Sequence, residues 1–343
     1  MRIILDGMGG DNAPEEIVKG AAASSKIIRH EICIVGDETR IKRELDKHDH
    51  EAKNISIVHA AGVITDEDRP VEAIRNKKDS SLVKALMLVR NGEGDMLLSA
   101  GNSGAVMTGS LLLLGRLGAI GRPALGAIYP MIGKGIGQIG LLIDAGANAE
   151  CKPSDLRNFA VMGSVFAEKV YEISNPAVGL VNMGAEPGKG SRTLKEAYQL
   201  LLGTKEQGVN FIGNIEGRDV PTGIADVIVC DGMTGNVILK LTEGLGYGIF
   251  GLMKKTFTST ARAKVGSALL LPKMKELKQI FNYNGYGGAP ILGVAHPVIK
   301  MHGSSIYSAV ENGILRSLPF VEKNVIGEIA ETLEKLAPIQ GRE

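Results

Sequence analysis

Short apolar runs alternate with helical patterns along most of this chain. The runs cover residues 3–5, 32–35, 55–58, 96–99, 125–129, 139–143, 177–181, 210–212 and 225–230. Strand-length runs separated by helices are typical of βαβ units, which build a largely parallel sheet with helices on both faces. The pattern predicts an α/β fold, a three-layer α/β/α sandwich. We expect residues 1–343 to form a single domain.

Turns rich in glycine and polar residues follow several of these runs. They begin at Asp6, Ser99, Asp144, Asn182, Gly213 and Asp231. Ligands of parallel sheets collect at the carboxyl ends of strands, where backbone N–H groups at helix starts can hold an anion. One such turn indicates little, because glycine is common wherever a strand bends tightly into a helix. Several at one sheet edge predict a polar cleft for a phosphate group, with residues 99–104 as its main part.

Net charge and residue spacing exclude several classes of protein. The formal net charge is only +1, whereas nucleic-acid binding needs clustered positive charge. Cys33, Cys151 and Cys230 are scattered and the histidines lack metal-ligand spacing, so neither disulfides nor a metal site is expected. No signal-peptide pattern is present, and the apolar run 105–114 is too short to cross a bilayer. We expect a cytoplasmic protein.

Two glycine motifs resemble nucleotide-binding sequences but lack required features. Residues 135–140 fit GxGxxG, yet they lead into a predicted strand instead of following one, which disfavours an NAD-dependent dehydrogenase. Residues 184–190 resemble the phosphate-binding loop of nucleotide kinases, but Gly190 replaces the magnesium-binding hydroxyl residue. Lys189 in this loop is a candidate anion clamp. No GxSxG elbow is present and Cys230 is interpreted as a strand residue, so no covalent enzyme intermediate is expected.

The segment 244–288 is predicted to be an inserted helical hairpin. Apolar residues recur at near-helical spacing over 245–257 and again at 268–271. Between residues 251 and 285, Glu276 is the single acidic residue, and the basic ones are Lys254, Lys255, Arg262, Lys264, Lys273, Lys275 and Lys278. An apolar stripe with basic residues suits an anionic membrane surface or an acidic partner protein. The alternative is a solvated helix that covers a dimer core.

The turn motifs, in their order and spacing, resemble those of the bacterial phosphate acyltransferases of the PlsX family. The matching segments are Asp-Gly-Met-Gly-Gly-Asp at 6–11, Ser-Ala-Gly-Asn-Ser-Gly-Ala at 99–105, Asp-Ala-Gly-Ala-Asn at 144–148, Phe-Ile-Gly-Asn-Ile-Glu-Gly at 211–217 and Asp-Gly-Met-Thr-Gly-Asn at 231–236. The resemblance extends from the first strand to about Ser317. Ser103 stands where the family pattern has threonine, and Met233 where an aromatic residue is expected.

This resemblance implies an enzyme that transfers a long-chain fatty acyl group from acyl carrier protein to inorganic phosphate, giving acyl phosphate for phospholipid synthesis. It implies a homodimer with a fold similar to phosphotransacetylases and to isocitrate or isopropylmalate dehydrogenases, associated peripherally with the membrane. No cofactor and no metal are expected. The basic hairpin would contact the carrier protein and the membrane, where a glycerol-3-phosphate acyltransferase could receive the product.

Positioning and charge are the main tasks in such a reaction, because phosphate is already an anion and needs no strong base. We assign phosphate binding to Gly101, Asn102, Ser103 and Gly104, charge neutralisation to Lys189, and donation to the oxyanion to Asn236. The remaining candidate cleft residues are Asp6, Gly10, Asp11, Asn148, Asn182, Asn214, Glu216, Asp231, His302 and Ser304. Among them Asp6, Asp11 and Asp231 are expected to orient turns, since like charges repel. A helix-capping role is equally open for Ser304.

Two other functions stay open at this point. A phosphotransacetylase-like enzyme that uses acyl-coenzyme A would need the same phosphate cradle and would differ only in its acyl donor. A non-catalytic scaffold could bind acyl carrier protein through the hairpin, and the glycine turns would then serve the fold alone.

Overall fold

The computed structural model describes residues 1–118, 120–135, 137–280 and 287–336, without the side chains of 271–273 and 275–280. The chain divides into two compact units. Unit 1 comprises Met1–Ala127, Val165–Ser174 and Tyr283–Glu343, and unit 2 comprises Ile128–Ser164 and Asn175–Asn282. That the units form the one domain predicted from the sequence stays a prediction.

The strands are β1 (Arg2–Asp6), β2 (Glu31–Gly36), β3 (Ile55–His59), β4 (Met96–Ser99), β5 (Ala124–Pro130), β6 (Ile139–Ile143), β7 (Ala177–Val181), β8 (Asn210–Ile215), β9 (Val227–Val229), β10 (Ala289–Leu292) and β11 (Val298–Lys300). Each apolar run predicted to be a strand coincides with one of β1 to β9. The sequence analysis missed β10 and β11, which are short and carry Pro290 and Lys300, residues that strands seldom favour.

The helices are α1 (Glu15–Ser25), α2 (Glu38–Leu45), α3 (Pro70–Asn76), α4 (Ser81–Arg90), α5 (Ser103–Gly109), α6 (Pro153–Val170), α7 (Arg192–Leu202), α8 (Gly232–Phe257), α9 (Ala261–Ile280), α10 (Tyr307–Glu322) and α11 (Val325–Glu334). A π-helical turn, Ser110–Leu114, continues α5. The alternation of strands and helices confirms the predicted α/β class.

Unit 1 has strands in the order β3-β2-β1-β4-β11-β10, with residues 124–127 of β5 next to β10. The first five are parallel, whereas β10 is antiparallel to both of its neighbours. Neighbouring residues of a strand face opposite sides of the sheet. Leu97 packs in a core cluster with Leu82 and Leu86 of α4, while the sulfur of Met96 lies 3.9 Å from the hydroxyl of Ser317 in α10. Helices therefore cover both faces of this sheet, as predicted.

Unit 2 has four strands in the order β6-β9-β7-β8, all parallel. Helix α6 packs closely on them at Gly163, where an added Cβ would lie 2.5 Å from Val227. Tyr198 of α7 packs edge-on against Phe211 of β8, with ring centroids 5.3 Å apart. Because the strands are parallel, their carboxyl ends lie at one edge of the unit.

A helical pair lies where the inserted hairpin was predicted, but its boundaries differ. Helix α8 begins at Gly232 rather than near residue 244, because Asp231 caps it by accepting a 2.7 Å hydrogen bond from the Thr234 amide. Helix α9 follows after three residues, 258–260. Residues 281–286 of the predicted hairpin lie outside the described residues. In the described part of the chain, no helix is both long and apolar enough to span a membrane.

Candidate active site

Three neighbouring parallel strands of unit 1 end side by side at the edge where the 99–104 turn begins. These are β1, β4 and β11, which end at Asp6, Ser99 and Lys300. In the register of β4 and β11, Lys300 stands opposite Ser99. Residues that are far apart in the sequence are thus adjacent at one edge.

Asp6 is a buried carboxylate, 1% exposed, that connects β1 to α4 and to the 99–104 turn. It accepts hydrogen bonds from the hydroxyls of Ser81, at 2.6 Å, and Ser99, at 2.7 Å. Burial raises the pKa of Asp6, although these hydrogen bonds oppose the shift. The Ser99 oxygen also accepts from the Gly101 amide at 3.1 Å. Asp6 is therefore hydrogen-bonded to the residue that begins the turn, and it is buried too deeply to contact a ligand.

The 99–104 turn presents free backbone donors at the start of α5. Asn102 caps the helix, because its side-chain oxygen accepts from the Ala105 amide at 2.9 Å. Ser103 and Gly104 are exposed, and within the described residues their amides have no hydrogen-bond partner. The first amides of a helix lack intrahelical partners and are suited to an anion. Asn102 is thus a capping residue, and the Ser103 hydroxyl and both amides are the donors left for a phosphate.

Glycine allows the first turn of the chain to approach the 99–104 turn. An added Cβ at Gly9 would lie 2.8 Å from the Gly101 nitrogen, and one at Gly10, whose φ is +104°, would lie 2.9 Å from the Gly303 oxygen. The Asp11 amide donates to the same Gly303 oxygen at 2.8 Å. The segments 6–12, 99–104 and 301–305 therefore pack backbone against backbone.

Lys300 is a buried cation that the sequence analysis did not select. Its side chain donates to the carbonyl oxygens of Ala100, at 3.4 Å, and Met301. Burial lowers its pKa to about 8, against the opposing effect of nearby carboxylates. A charged residue inside the apolar run 298–301 was the available signal, because such a lysine is buried only where partners compensate it.

His302 and Ser304 form a local pair of exposed side chains on the 301–305 turn. The Ser304 amide donates to His302 Nδ1 at 3.2 Å, and the Ser304 hydroxyl lies 2.8 Å from the same nitrogen. A ring nitrogen that accepts from an amide is unprotonated, so a neutral His302 carries its proton on Nε2. The alternative capping role of Ser304 is wrong, because α10 begins after Ile306 and has no side-chain cap.

In unit 2, the turn after β6 is hydrogen-bonded to the turn after β9. Asp144 is fully buried and accepts from the Asn148 amide and side chain, both at 2.8 Å, among other amides of its turn. The Asn148 carbonyl accepts from the Gly232 amide at 2.7 Å. Asn236 is exposed beside this junction, since an added Cβ at Gly146 would lie 3.7 Å from its side-chain oxygen. Asp231 is the cap of α8; its orienting role at the site stays a prediction.

The loop between β7 and α7 carries Lys189 and is held by two buried asparagines. Asn182 donates to the Lys189 carbonyl at 3.1 Å, and Asn214 donates to the Glu186 carbonyl at 2.9 Å. The Lys189 side chain itself is exposed. Asn182 and Asn214 therefore hold the loop through its backbone, and Lys189 gives the loop an exposed positive charge.

The remaining sequence motifs have structural explanations. Glu216 pairs with Arg218 at 3.1 Å on the surface of the turn after β8. Residues 135–140 lead into β6, as predicted, although Ile136 lies outside the described residues. Burial raises the pKa of Cys151 to about 12 and that of Cys230 well above its ordinary value. Neither thiol is suited to act as a nucleophile, because the thiolate is the reactive form.

The predicted site residues therefore fall into groups within the units. Unit 1 holds Asp6, Gly10, Asp11, Gly101, Asn102, Ser103, Gly104, His302 and Ser304, and unit 2 holds Asn148, Asn182, Lys189, Asn214, Glu216, Asp231 and Asn236. Ser81, Ser99, Asp144 and Lys300 are buried polar residues missing from the predicted set. The grouping of Ser103 with Lys189 and Asn236 in one cleft stays a prediction.

Comparison with solved structures defines the fold class. A phosphotransacetylase from Streptococcus pyogenes superposes with a TM-score of 0.60, covering 98% of this chain and 94% of that one at 15% identity. At this level of identity the likeness establishes the fold alone. The chain thus has the α/β fold of the phosphotransacetylases, one of the two likenesses implied by its sequence motifs.

Sequence comparison identifies the family more narrowly. Residues 1–328 match the family described as fatty acid synthesis protein. The phosphate acyltransferase of Alkaliphilus oremlandii is 49% identical over 98% of both chains, and that of Acetivibrio thermocellus is 47% identical over 96% of both. The chain belongs to the phosphate acyltransferase family, so the resemblance drawn from the turn motifs is confirmed.

Proposed function

We propose that this chain transfers a long-chain fatty acyl group from acyl carrier protein to inorganic phosphate. The relatives named phosphate acyltransferase, similar over nearly their whole length, support the acceptor. One observation carries the proposal. At the start of α5, the backbone amides of Ser103 and Gly104 and the hydroxyl of Ser103 are free to donate to a ligand. These donors suit an anion and are held in place by the buried Asp6.

The reaction needs no enzyme nucleophile. A phosphate oxygen attacks the thioester carbonyl carbon, a C–O bond forms, and the carbonyl oxygen becomes an oxyanion. When the C–S bond breaks, the carbonyl re-forms, the thiolate leaves with the proton that the attacking hydrogen phosphate carried, and acyl phosphate remains. Donors that are already in position stabilise the oxyanion at little reorganisation cost. We assign phosphate to Ser103 and the amides of the 99–104 turn, charge neutralisation to Lys189 and oxyanion donation to Asn236.

The exposed side chains of α8 and α9 support the proposal that this chain binds acyl carrier protein and the membrane. Apolar side chains that are more than half exposed include Leu245, Tyr247, Leu252, Val265 and Leu269. The basic residues Lys254, Lys255, Arg262 and Lys264 are exposed on the same two helices, whereas the side chains of Lys273 and Lys275 lie outside the described residues. Apolar and basic groups together suit an anionic surface.

Peripheral membrane contact, a cytoplasmic location and a homodimer belong to the same proposal. A lipid-soluble acyl phosphate released at the membrane could pass directly to a membrane acyltransferase that uses glycerol 3-phosphate. Exposed apolar side chains on α8 and α9 also suit a second copy of the chain. Sedimentation of the purified chain, with and without anionic vesicles, tests both contacts.

The test of the acyl donor uses the purified chain, phosphate and one of two thioesters, acyl carrier protein or coenzyme A. We expect acyl phosphate mainly from the carrier-protein thioester. A strong preference for acyl-coenzyme A would favour the phosphotransacetylase-like alternative. If neither thioester reacts and phosphate gives no protection against thermal unfolding, the non-catalytic scaffold is favoured.

A further inference from the structure

The ammonium group of Lys300 joins two turns of unit 1. The residue is 8% exposed, and Nζ donates to the carbonyl oxygens of Ala100 and Met301. Ala100 belongs to the 99–104 turn, and Met301 opens the turn that carries His302. The Met301 amide donates in return to the Ser99 carbonyl at 2.8 Å. Lys300 is therefore part of the support of the proposed phosphate site, although it is too buried to line it.

Three carboxylates from separate segments interact electrostatically with this ammonium. Asp6 ends β1, Asp11 follows the glycines of the first turn, and Asp66 lies in the loop before α3; all three favour the charged form of Lys300. The adjoining turn adds the exposed His302. Burial outweighs the carboxylates and lowers the pKa of Lys300 to about 8.

The same carboxylates would weaken an anion site if they were not balanced. Like charges at short range repel, and the effect is large where protein replaces water. Lys300 supplies a positive charge that interacts with all three carboxylates. Its hydrogen bonds also pair the backbone oxygens of Ala100 and Met301 with a positive charge.

We propose that Lys300 is a positioning residue for phosphate: it fixes the 99–104 turn through Ala100 and Met301 and offsets the charge of Asp6, Asp11 and Asp66. This inference rests on the proposed phosphate site. Lys300 acts through the turn and does not contact the substrate.

Phosphate binding and the protonation of Lys300 are then coupled. A bound anion favours the ammonium form, so binding at a pH near the pKa of about 8 takes up a fraction of a proton. The uptake is at most about 0.5 proton per phosphate when half of the lysine is initially neutral. Conversely, raising the pH through this pKa removes the positive charge and weakens phosphate binding.

The test is calorimetric titration of the full chain with inorganic phosphate at pH near 8, in two buffers whose ionisation enthalpies differ. The difference in heat between the buffers gives the protons taken up per phosphate. Lys300→Met removes the charge but keeps an unbranched side chain. Lys323→Met is the matched control, because Lys323 is an exposed lysine paired with Glu172 at 2.7 Å.

We expect Lys300→Met to bind phosphate at least about tenfold more weakly and to take up fewer protons, while Lys323→Met matches the unaltered chain. Unchanged affinity in Lys300→Met overturns the inference and leaves the proposed function intact. Weaker binding with unchanged proton uptake also overturns it, because Lys300 would then have a structural role alone. If the unaltered chain binds no phosphate, the proposed site itself is wrong, and the inference with it.

A second measurement needs no substitution and covers the case in which Lys300→Met does not fold. The phosphate affinity of the unaltered chain is followed from pH 7 to pH 9. We expect it to fall, although phosphate itself becomes more negative over this range. An affinity that stays constant or rises overturns the inference.

Discussion

The Ser99 hydroxyl donates a 2.7 Å hydrogen bond to the buried Asp6 carboxylate, although the two residues are 93 positions apart. The same oxygen accepts the Gly101 amide at 3.1 Å. One hydroxyl therefore links the end of β1 to the turn that presents Ser103, and this link fixes the position of the turn. The precision of the proposed phosphate site depends on this pair, because a preorganised donor set costs less to use than a mobile one.

Replacing Ser99 and Ser81 separately tests that dependence. Each variant to alanine removes one hydrogen bond to Asp6 and should cost roughly 1 to 3 kcal/mol of unfolding free energy, since the carboxylate is buried. Only Ser99→Ala also frees the Gly101 amide, so only this variant should raise the KM for phosphate. Urea unfolding and steady-state kinetics give the two quantities. Equal phosphate KM values for both variants would contradict the role assigned to Ser99.

Gly9→Ala tests the close approach of the first turn. The added Cβ would lie 2.8 Å from the Gly101 nitrogen, so the turns must separate. We expect a loss of about 1 to 3 kcal/mol of stability and a clear loss of activity. Gly244→Ala is the control, because nothing lies within 4 Å of the added Cβ and alanine favours a helix. Thermal unfolding should show the first variant destabilised and the second at least as stable as the unaltered chain.

Lys189 and Asn236 should affect different kinetic constants. Both side chains are exposed, so Lys189→Met and Asn236→Ala should leave stability unchanged. The lysine variant should raise the phosphate KM, whereas loss of an oxyanion donor should lower kcat by roughly 100-fold. Lys205→Met, on an exposed lysine elsewhere in unit 2, serves as the control. Full activity of Asn236→Ala would remove it from the proposed mechanism.

Charge reversal on α8 tests the partner surface. The double variant Lys254→Glu and Lys255→Glu should raise the KM for acyl carrier protein and reduce recovery on anionic vesicles, because both interactions depend on positive charge. Lys195→Glu with Lys205→Glu makes the same charge change at exposed positions off the hairpin. Vesicle sedimentation and carrier-protein kinetics are the measurements. If both double variants behave alike, the hairpin is not the docking surface.

The sequence predicted strands β1 to β9 well, because the spacing of apolar residues and the glycine-rich turns are signals that lie within a short stretch of chain. The runs at 96–99 and 139–143 coincide with β4 and β6. The start of α8 was missed, because the helical spacing of apolar residues is clearest after residue 244, whereas the helix begins at Gly232.

The supports of the candidate site were harder to predict. Lys300 contacts Ala100, which is 200 residues earlier, and Ser99 contacts Asp6 across 93 residues. These pairs depend on strand order, with β11 inserted beside β4, and no local pattern encodes that order. The sequence shows Asn102 as a polar residue before a helix, which suits either a helix cap or a ligand contact. Only the structure shows that its side-chain oxygen caps α5.

The most direct test of the proposed activity follows free thiol and acyl phosphate together, using the purified chain and a long-chain thioester of acyl carrier protein. With inorganic phosphate present, we expect thiol release with equal formation of acyl phosphate, and without phosphate, neither. Thiol release that does not depend on phosphate, or none under any condition, would contradict acyl transfer to phosphate.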